Sequence, residues 1–405
     1  MFVIFVLVAV PAFFFLAEHR TRWGLWNVLP PLIFIYATPL ILRLIGVLPE
    51  ESPVYAGMRA YLLPVFITLM VMTIDLKTVL GNLGRGLPVL LIATACVIVG
   101  APTGYLAVSP WLPPEAWMGY GALAGSWIGG TGNMAAMERA LGTPPDQMGL
   151  AIIADQVVFV IWLPLLIMSA RYADRFNAWV NARPLELAEH GSAVAKPAPG
   201  PGPKAEEEAA IAVAVGGEAE KPKRPPMSTM LDMLLMAAAA LANVALCAWL
   251  ATLLPDLPPF ITGSTWLVLL VTTGAVLLSF TPVRRSEEGK TAGTAILYVF
   301  VANMGASASI AGLAQAPAFV AGAFVWITVS VALMIVAAKL MRTDLRLVVV
   351  SAIANIGGAA SAPVVAAAHD RALVPVAILM AMLCYVTGNY GAIVAGHLTR
   401  IVAGG

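Results

Sequence analysis

Apolar residues in this chain fall in long unbroken blocks, not in the alternation of a half-buried strand or the stripe of a surface helix. The blocks cover roughly residues 1–17, 26–47, 55–74, 87–108, 117–138, 149–169, 230–253, 262–282, 292–313, 316–340, 345–368 and 373–398. Most match the ~20 apolar residues that carry an α-helix across a bilayer core of about 30 Å. The first block has no basic residues before it, and Glu18-His19-Arg20-Thr21-Arg22 follows it. It therefore reads as a first transmembrane helix and not a secretory leader. Between 171 and 228 the pattern stops. Pro197-Ala-Pro-Gly-Pro-Gly-Pro203, Glu206-Glu207-Glu208 and the run Lys221 to Pro226 offer too little apolar surface to offset the entropy of ordering. The expectation is a disordered cytoplasmic linker over 171–228 between a first transmembrane repeat, 1–170, and a second, inverted one, 229–405.

The two halves follow the same order, and each places a segment of small residues before its last helix. These segments are Gly121-Ala-Leu-Ala-Gly-Ser-Trp-Ile-Gly-Gly-Thr-Gly-Asn-Met-Ala135 and Ser351-Ala-Ile-Ala-Asn-Ile-Gly-Gly-Ala-Ala-Ser-Ala-Pro363. Corresponding Gly-interrupted segments in two halves point to a transporter's binding site. Charge parity bears on how they run. If all twelve blocks cross, the basic loops fall on both sides, against the cytoplasmic bias of Lys and Arg. If the two Gly-rich segments enter and leave on one side, the loops 18–22, 76–86, the linker, 283–291 and 341–346 share a side. The loops 48–53, 109–116, 254–261 and 314–315, which carry no Lys or Arg, then share the other. Arg43, Arg59, Arg139 and Arg400 are the exceptions. The expected fold class is all-α integral membrane: two inverted five-helix repeats, each with a broken or re-entrant Gly-rich segment. One extra crossing within 117–169 is the alternative.

Composition agrees: 60% of residues are hydrophobic, 11% are charged, and mean hydropathy is +0.88. A soluble domain carries about 25% charged residues. The net charge of +1 gives no bulk attraction to nucleic acid. Cys96, Cys247 and Cys384 lie in apolar blocks without metal-ligand spacing and read as small apolar fillers.

Gly129-Gly-Thr-Gly-Asn133, the Asp155-Gln156 pair and Asn355-Ile-Gly-Gly358 resemble motifs of the bacterial domain-of-unknown-function 819 family. Met72-Thr-Ile-Asp-Leu-Lys77 is similar to a recurrent segment of the cation/proton antiporter and anion transporter superfamily, in which that family is grouped. The plan is similar to that of the glutamate/sodium and citrate/sodium symporters. The resemblance implies an inverted-repeat transporter fold, with homodimers as a common assembly, and no substrate. Gly357-Gly358-Ala359-Ala360 departs from the Gly-Gly-x-Gly pattern of the first segment, so the two segments need not play the same part.

The candidate substrate-binding residues are Ser126, Gly129, Gly130, Thr131, Gly132, Asn133, Asn355, Gly357, Gly358 and Ser361. Broken backbone at membrane depth is tolerated only in a cavity or inside protein. There it offers N–H groups to anions and carbonyls to cations. Plain small-residue helix packing is the competing reading. Asp155, beside Gln156 in an otherwise uncharged helix, is the sharpest single residue, because an intramembrane carboxylate is costly. It would carry a proton or bind Na⁺, or else bond to Arg139 or nearby backbone. Asn303 and Asn389 join Asp155 and Gln156 as candidate ion-coupling residues. Asn303 with Ser307 to Ser309 suggests a further helix break. Asp75 reads as an ion pair with Lys77, Trp23, Trp26, Trp111 and Trp117 as interface anchors, and His369 as a loop residue. No GxxxxGK[ST] or HExxH is present, so neither ATP drive nor this metalloprotease chemistry is expected. The sequence predicts a secondary active transporter of a bacterial inner membrane that is not an enzyme. It would move a small anionic or zwitterionic solute by alternating access, coupled to Na⁺ or H⁺, with no cofactor beyond a bound Na⁺. The alternative is a cation/proton antiporter or channel without organic substrate.

Overall fold

A computed structural model describes residues 1–21, 31–183, 226–257, 261–281, 287–307 and 313–404. Every regular element among them is helical. In chain order they are α1 (Phe2–Thr21), α2 (Pro31–Leu44), α3 (Pro53–Met72), α4 (Leu76–Asn82), α5 (Gly86–Val108), α6 (Ala116–Gly129), α7 (Thr131–Leu141), α8 (Pro145–Met168) and α9 (Ala173–Val180). They continue as α10 (Pro226–Leu253), α11 (Gly263–Ser279), α12 (Glu287–Ser307), α13 (Ala316–Met341), α14 (Leu345–Ile356), α15 (Gly358–His369) and α16 (Val374–Val402). Six stretches are long and apolar enough to cross a membrane: 53–72, 86–111, 145–180, 233–253, 316–341 and 371–402. The helices at 2–18, 34–44, 263–279 and 292–307 are apolar but shorter. This is a multi-pass membrane protein. Thr68, Thr94, Thr272 and Ser330 occupy buried helix positions because each hydroxyl bonds the carbonyl four residues earlier.

α6 and α7 form a helical hairpin. Gly130 turns the chain with φ +85° and ψ −178°, a conformation open to glycine. Beyond it the helix doubles back: a Cβ on Gly125 would lie 2.6 Å from the Asn133 carbonyl oxygen, and Leu141 packs on Gly121. At the base, the Thr143 hydroxyl bonds the Met118 carbonyl at 3.3 Å. α14 and α15 repeat the device with Gly358 at φ +62°. Their outer ends reach the far end of α8 and the helix α9 that follows it. Asp344 Oδ2 accepts from Asn177 Nδ2 at 2.7 Å, and His369 Nε2 lies 2.9 Å from the Leu166 carbonyl.

The hairpins have their bases at opposite ends of α8, whose 24 residues span about 36 Å at 1.5 Å each. α5 and α13 run antiparallel alongside: Gly104 meets Gly322, and Ser330 Oγ bonds the Cys96 carbonyl at 3.1 Å. One pole therefore gathers Arg85, Arg171, Arg175, Lys339, Arg342, Arg346 and Arg371. The opposite pole gathers 109–118, 142–145 and the end of α16. The exceptional arginines of that opposite pole have partners: Arg59 pairs with Glu138 at 3.2 Å, Arg139 donates to the Arg59 carbonyl, and Arg400 lies over the Trp117 ring at 5.1 Å.

Packing sorts the helices into two bundles. α1, α2, α3, α10, α11 and α12 pack with one another, and α5 to α8 with α13 to α16. The pairings come in swapped sets. α2 rests on α12 as α11 rests on α3, α1 on α12 as α10 on α3, and α16 on α5 as α8 on α13. The bundles meet mainly where α7 and α16 face α3 and α11.

Several expectations change. Residues 173–180, assigned to the linker, are helical. Asn177 caps α14 through Leu345 N–H at 2.8 Å, and the Asn181 carbonyl accepts from Arg342. The linker's outermost residues, 171–172 and 226–228, are helical as well, while 184–225 lie outside the described residues, as do Trp23, Trp26 and Ser309. α12 runs unbroken through Asn303 to Ser307. Asp75 also caps α4, accepting the Thr78 N–H at 3.0 Å, which leaves its expected pairing with Lys77 untouched. Trp117 is buried, and His369 ends a helix instead of sitting in a loop.

Gly104 and Gly81 test this packing in opposite directions. A Cβ at 104 would press within 2.7 Å of Trp326 Cβ, whereas one at 81 meets nothing within 4 Å. Gly104→Ala is expected to destabilise by about 1–3 kcal/mol through overpacking. Gly81→Ala should stabilise by roughly 0.5–1 kcal/mol through backbone entropy. Thermal melting in detergent reads both.

Candidate functional site

The two hairpin tips meet at one side chain of α16. Tyr385 stands between them: a Cβ on Gly130 would touch its ring edge at 3.2 Å and one on Gly358 its hydroxyl at 3.1 Å. The Tyr385 hydroxyl takes the Ala359 N–H at 3.3 Å. Asn133 Nδ2 donates to the Tyr385 carbonyl at 3.1 Å. That approach is open because Gly129 and Gly388 have no side chains; a Cβ on Gly129 would fall 2.5 Å from Asn133 Cγ. In the second hairpin, Asn355 accepts from Thr94 at 2.8 Å and donates to the Ser351 carbonyl at 2.9 Å, tying that hairpin to α5. Asn133 thus anchors the first hairpin to α16 and Asn355 the second to α5, while the Tyr385 hydroxyl takes an N–H freed where α15 begins.

Beside the tips lies a cavity of about 230 Å³ between the bundles. Phe66, Met70, Thr73 and Ile74 of the α3 side and Gly293, Thr294 and Leu297 of α12 form one wall. Ala359, Ile378, Met382 and Tyr385 form the other. Gly132 backs onto Phe66 and Met70. None of the ten residues assigned to the solute lines this space. Gly130, Gly132 and Gly358 touch its wall residues Phe66, Met70 and Tyr385, while Ser126, Asn133 and Asn355 are buried behind it.

The four residues grouped for ion coupling do not come together. Asp155 faces α6, where Trp127 Nε1 donates to Oδ1 at 3.0 Å and Gln156 Nε2 to Oδ2 at 3.2 Å, with Ser126 as a third partner. Arg139 is not its partner. Trp127 is itself clamped by Trp326, with ring centroids 4.4 Å apart. Asn389 bonds Thr272 of α11 at 2.8 Å, across the bundle boundary. Asn303 reaches toward the Tyr55 carbonyl at 3.4 Å, at the other end of α12 from the cavity. Among the described residues no group of three His, Cys, Asp or Glu side chains is placed to hold a metal ion.

Sequence reasoning missed three residues. Tyr385 lies in an apolar run, and of that helix only Asn389 was singled out as a candidate. Arg59 stood out only as a charge on the wrong side. Glu138, at the edge of a block, is 5% exposed, as buried as the residues that were chosen. Its signal was an acid in a run otherwise made of small and apolar residues.

The profile of a family described as "Protein of unknown function (DUF819)" matches residues 5–199 and 200–402. The chain belongs to that family. It is also 25% identical over 388 residues to the uncharacterized membrane protein YjcL of Bacillus subtilis (strain 168), covering 92% of this chain and 90% of that protein. For this family member, the structure sets out residues that neither match describes.

Asp155→Leu should lower stability by about 1–3 kcal/mol, because it strands the buried Trp127 N–H. Asp155→Asn retains an acceptor and should cost less. Thermal melting in detergent separates the two; equal losses would show that the Trp127 bond contributes nothing.

Proposed function

We propose that this protein is a secondary active transporter of a bacterial inner membrane, in which the two bundles move against each other around the cavity beside Tyr385. The observation that carries the reading is the meeting of two oppositely based hairpins at that residue, on the boundary between the bundles. The swapped packing sets support an inverted repeat of five spanning helices and one re-entrant hairpin per half. The six long and four shorter apolar helices supply the ten crossings. The arginine-rich pole then faces the cytoplasm.

Hairpin tips carry the first N–H groups of α7 and α15, which favour negative charge. The cavity wall is largely apolar, with Thr73, Thr294 and the Tyr385 hydroxyl as its polar side chains. A small organic anion or zwitterion with an apolar body fits that mixture. Coupling requires that the driving ion bind the two arrangements unequally. Asp155 is a poor Na⁺ ligand here, because two N–H donors and one hydroxyl already take its oxygens, and all three lie in its own bundle. Membership of the cation/proton antiporter and anion transporter superfamily is part of this proposal, and the two-bundle arrangement supports it.

The test is thermal melting of the purified protein across organic anions, amino acids and sugars, each in Na⁺ or K⁺ and at two pH values. A solute at 100 times its Kd should stabilise by about 2.7 kcal/mol. Met382→Trp, which fills the cavity, should abolish that shift while leaving the ligand-free protein folded. A shift given by cation or proton alone, with no solute effective, would favour an antiporter or channel instead.

A further inference from the structure

The boundary between the bundles holds a buried acid that the solute cavity does not use. Glu138 sits on α7, near the base of the first hairpin, and is 5% exposed. Its Oε1 receives Arg59 Nη1 at 3.2 Å across the boundary. Its Oε2 is buried with no hydrogen-bond partner among the described residues. Arg59 lies on the π-helical turn Met58–Leu62 of α3, the irregular stretch of that helix. Its side chain is 31% exposed, so water reaches the guanidinium but scarcely the carboxylate.

We propose that Glu138 is the proton-binding site through which the ion gradient is coupled to movement of the bundles, with Arg59 as its counter-charge in one arrangement. This rests on the transporter reading above. The physical argument is one of differential contact. A coupling group must be in different surroundings in the two arrangements, or its ion shifts nothing. Asp155 moves with all of its donors. Among the described residues, the ionic partner of Glu138 is on the other bundle, so any sliding of the bundles parts them. Parting them with Glu138 charged strands a buried carboxylate, which is strongly unfavourable. A proton from the water on that side, taken up on a carboxylate oxygen, removes the negative charge and with it the attraction. Arg59 keeps its charge and turns to solvent. The ionised acid therefore holds the bundles latched, and the protonated acid lets them slide.

Other titratable and charged groups surround the latch, and the variants below separate Glu138 from them. Tyr36 of α2 lies within its electrostatic reach. Arg139, beside it on α7, is occupied with the Arg59 carbonyl. Of the other helices packed on α7, α6 brings Tyr120, which bonds the Phe319 carbonyl. The Leu63–Met72 part of α3 and all of α11 bring no titratable side chain. The end of α16 that flanks the hairpin base brings His397 and Arg400, the latter held over Trp117.

The experiment uses full-length protein in lipid nanodiscs, with spin labels on Tyr61→Cys and Pro145→Cys, exposed positions of the two bundles near this pole. Distances are read by pulsed electron spin resonance from roughly pH 8 down to about pH 4, close to the ordinary glutamate pKa. The separation should lengthen as pH falls. Glu138→Gln should show the long separation at every pH, Glu138→Asp should keep a pH response, and Asp155→Asn should respond like the parent. If Glu138→Gln does not fold, Arg59→Gln should also be long and insensitive to pH. A pH response that survives both Glu138→Gln and Arg59→Gln overturns the assignment while leaving the bundle motion standing. One fixed distance in the parent at all pH values overturns the motion and the assignment together.

Discussion

A peptide group inside a bilayer must find a hydrogen-bond partner within the protein, and a helix that stops at membrane depth leaves several without one. This chain stops two helices in its interior, at Gly129-Gly130 and at Gly357-Gly358, and on the proposed reading both stops lie at membrane depth. The architecture around them answers that constraint. Tyr385 offers its carbonyl to Asn133 of one hairpin and its hydroxyl to the Ala359 N–H of the other. Asn355 and Thr94 close the second hairpin against α5. The absence of side chains at Gly129 and Gly388 is what lets Asn133 come close enough. Small residues here let helices and side chains approach closely, the Tyr385 hydroxyl takes a freed N–H, and the asparagines tie the hairpins to α16 and α5.

From that junction the division into bundles gains its meaning. α5, α13 and the hairpins form a dense unit whose centre is aromatic, with Trp127, Trp326, Tyr120 and Phe319 fully buried. The first three helices of each half form the other unit. Between them lie an apolar cavity, a few cross-boundary hydrogen bonds such as Asn389 to Thr272 and Thr265 to the Ala140 carbonyl, and the ion pair Arg59–Glu138. Such contacts can differ between two arrangements of the bundles, whereas contacts inside a bundle cannot. On this account, function belongs to the boundary.

Much of the architecture was legible in the sequence. Block length and the paired Gly-rich segments located the helices and both breaks, and loop charge suggested that each broken segment returns to its own side. The structure shows each segment as a hairpin based at one end of α8. The site was legible only in part. Glycine and asparagine mark where a helix breaks, but not which way the side chains turn, and Asn133 and Asn355 turn toward backbone. Asp155 stood out because an isolated intramembrane acid is conspicuous, yet its donors are a neighbouring residue and two residues of the adjacent helix. Glu138 and Arg59 are 79 positions apart, and no periodicity links them. Tyr385 looks like any aromatic in an apolar run until two hairpin tips are brought to it. Residues 173–180 read as linker because their apolar face is short, and helix α9 owes its order to bonds with the start of α14.

The central claim is that the two hairpins enter from opposite faces of the membrane. The most direct measurement is labelling of single cysteines in intact cells and in inverted vesicles with a membrane-impermeant maleimide. The cysteines are placed at Glu115 and Pro145, flanking the first hairpin, and at Arg342 and Ala372, flanking the second. All four positions are exposed, while Cys96, Cys247 and Cys384 are buried. The account predicts that 115 and 145 react from the periplasmic side and that 342 and 372 react from the cytoplasmic side. Reaction of 115 and 145 from opposite sides would make the first segment a crossing and contradict the account.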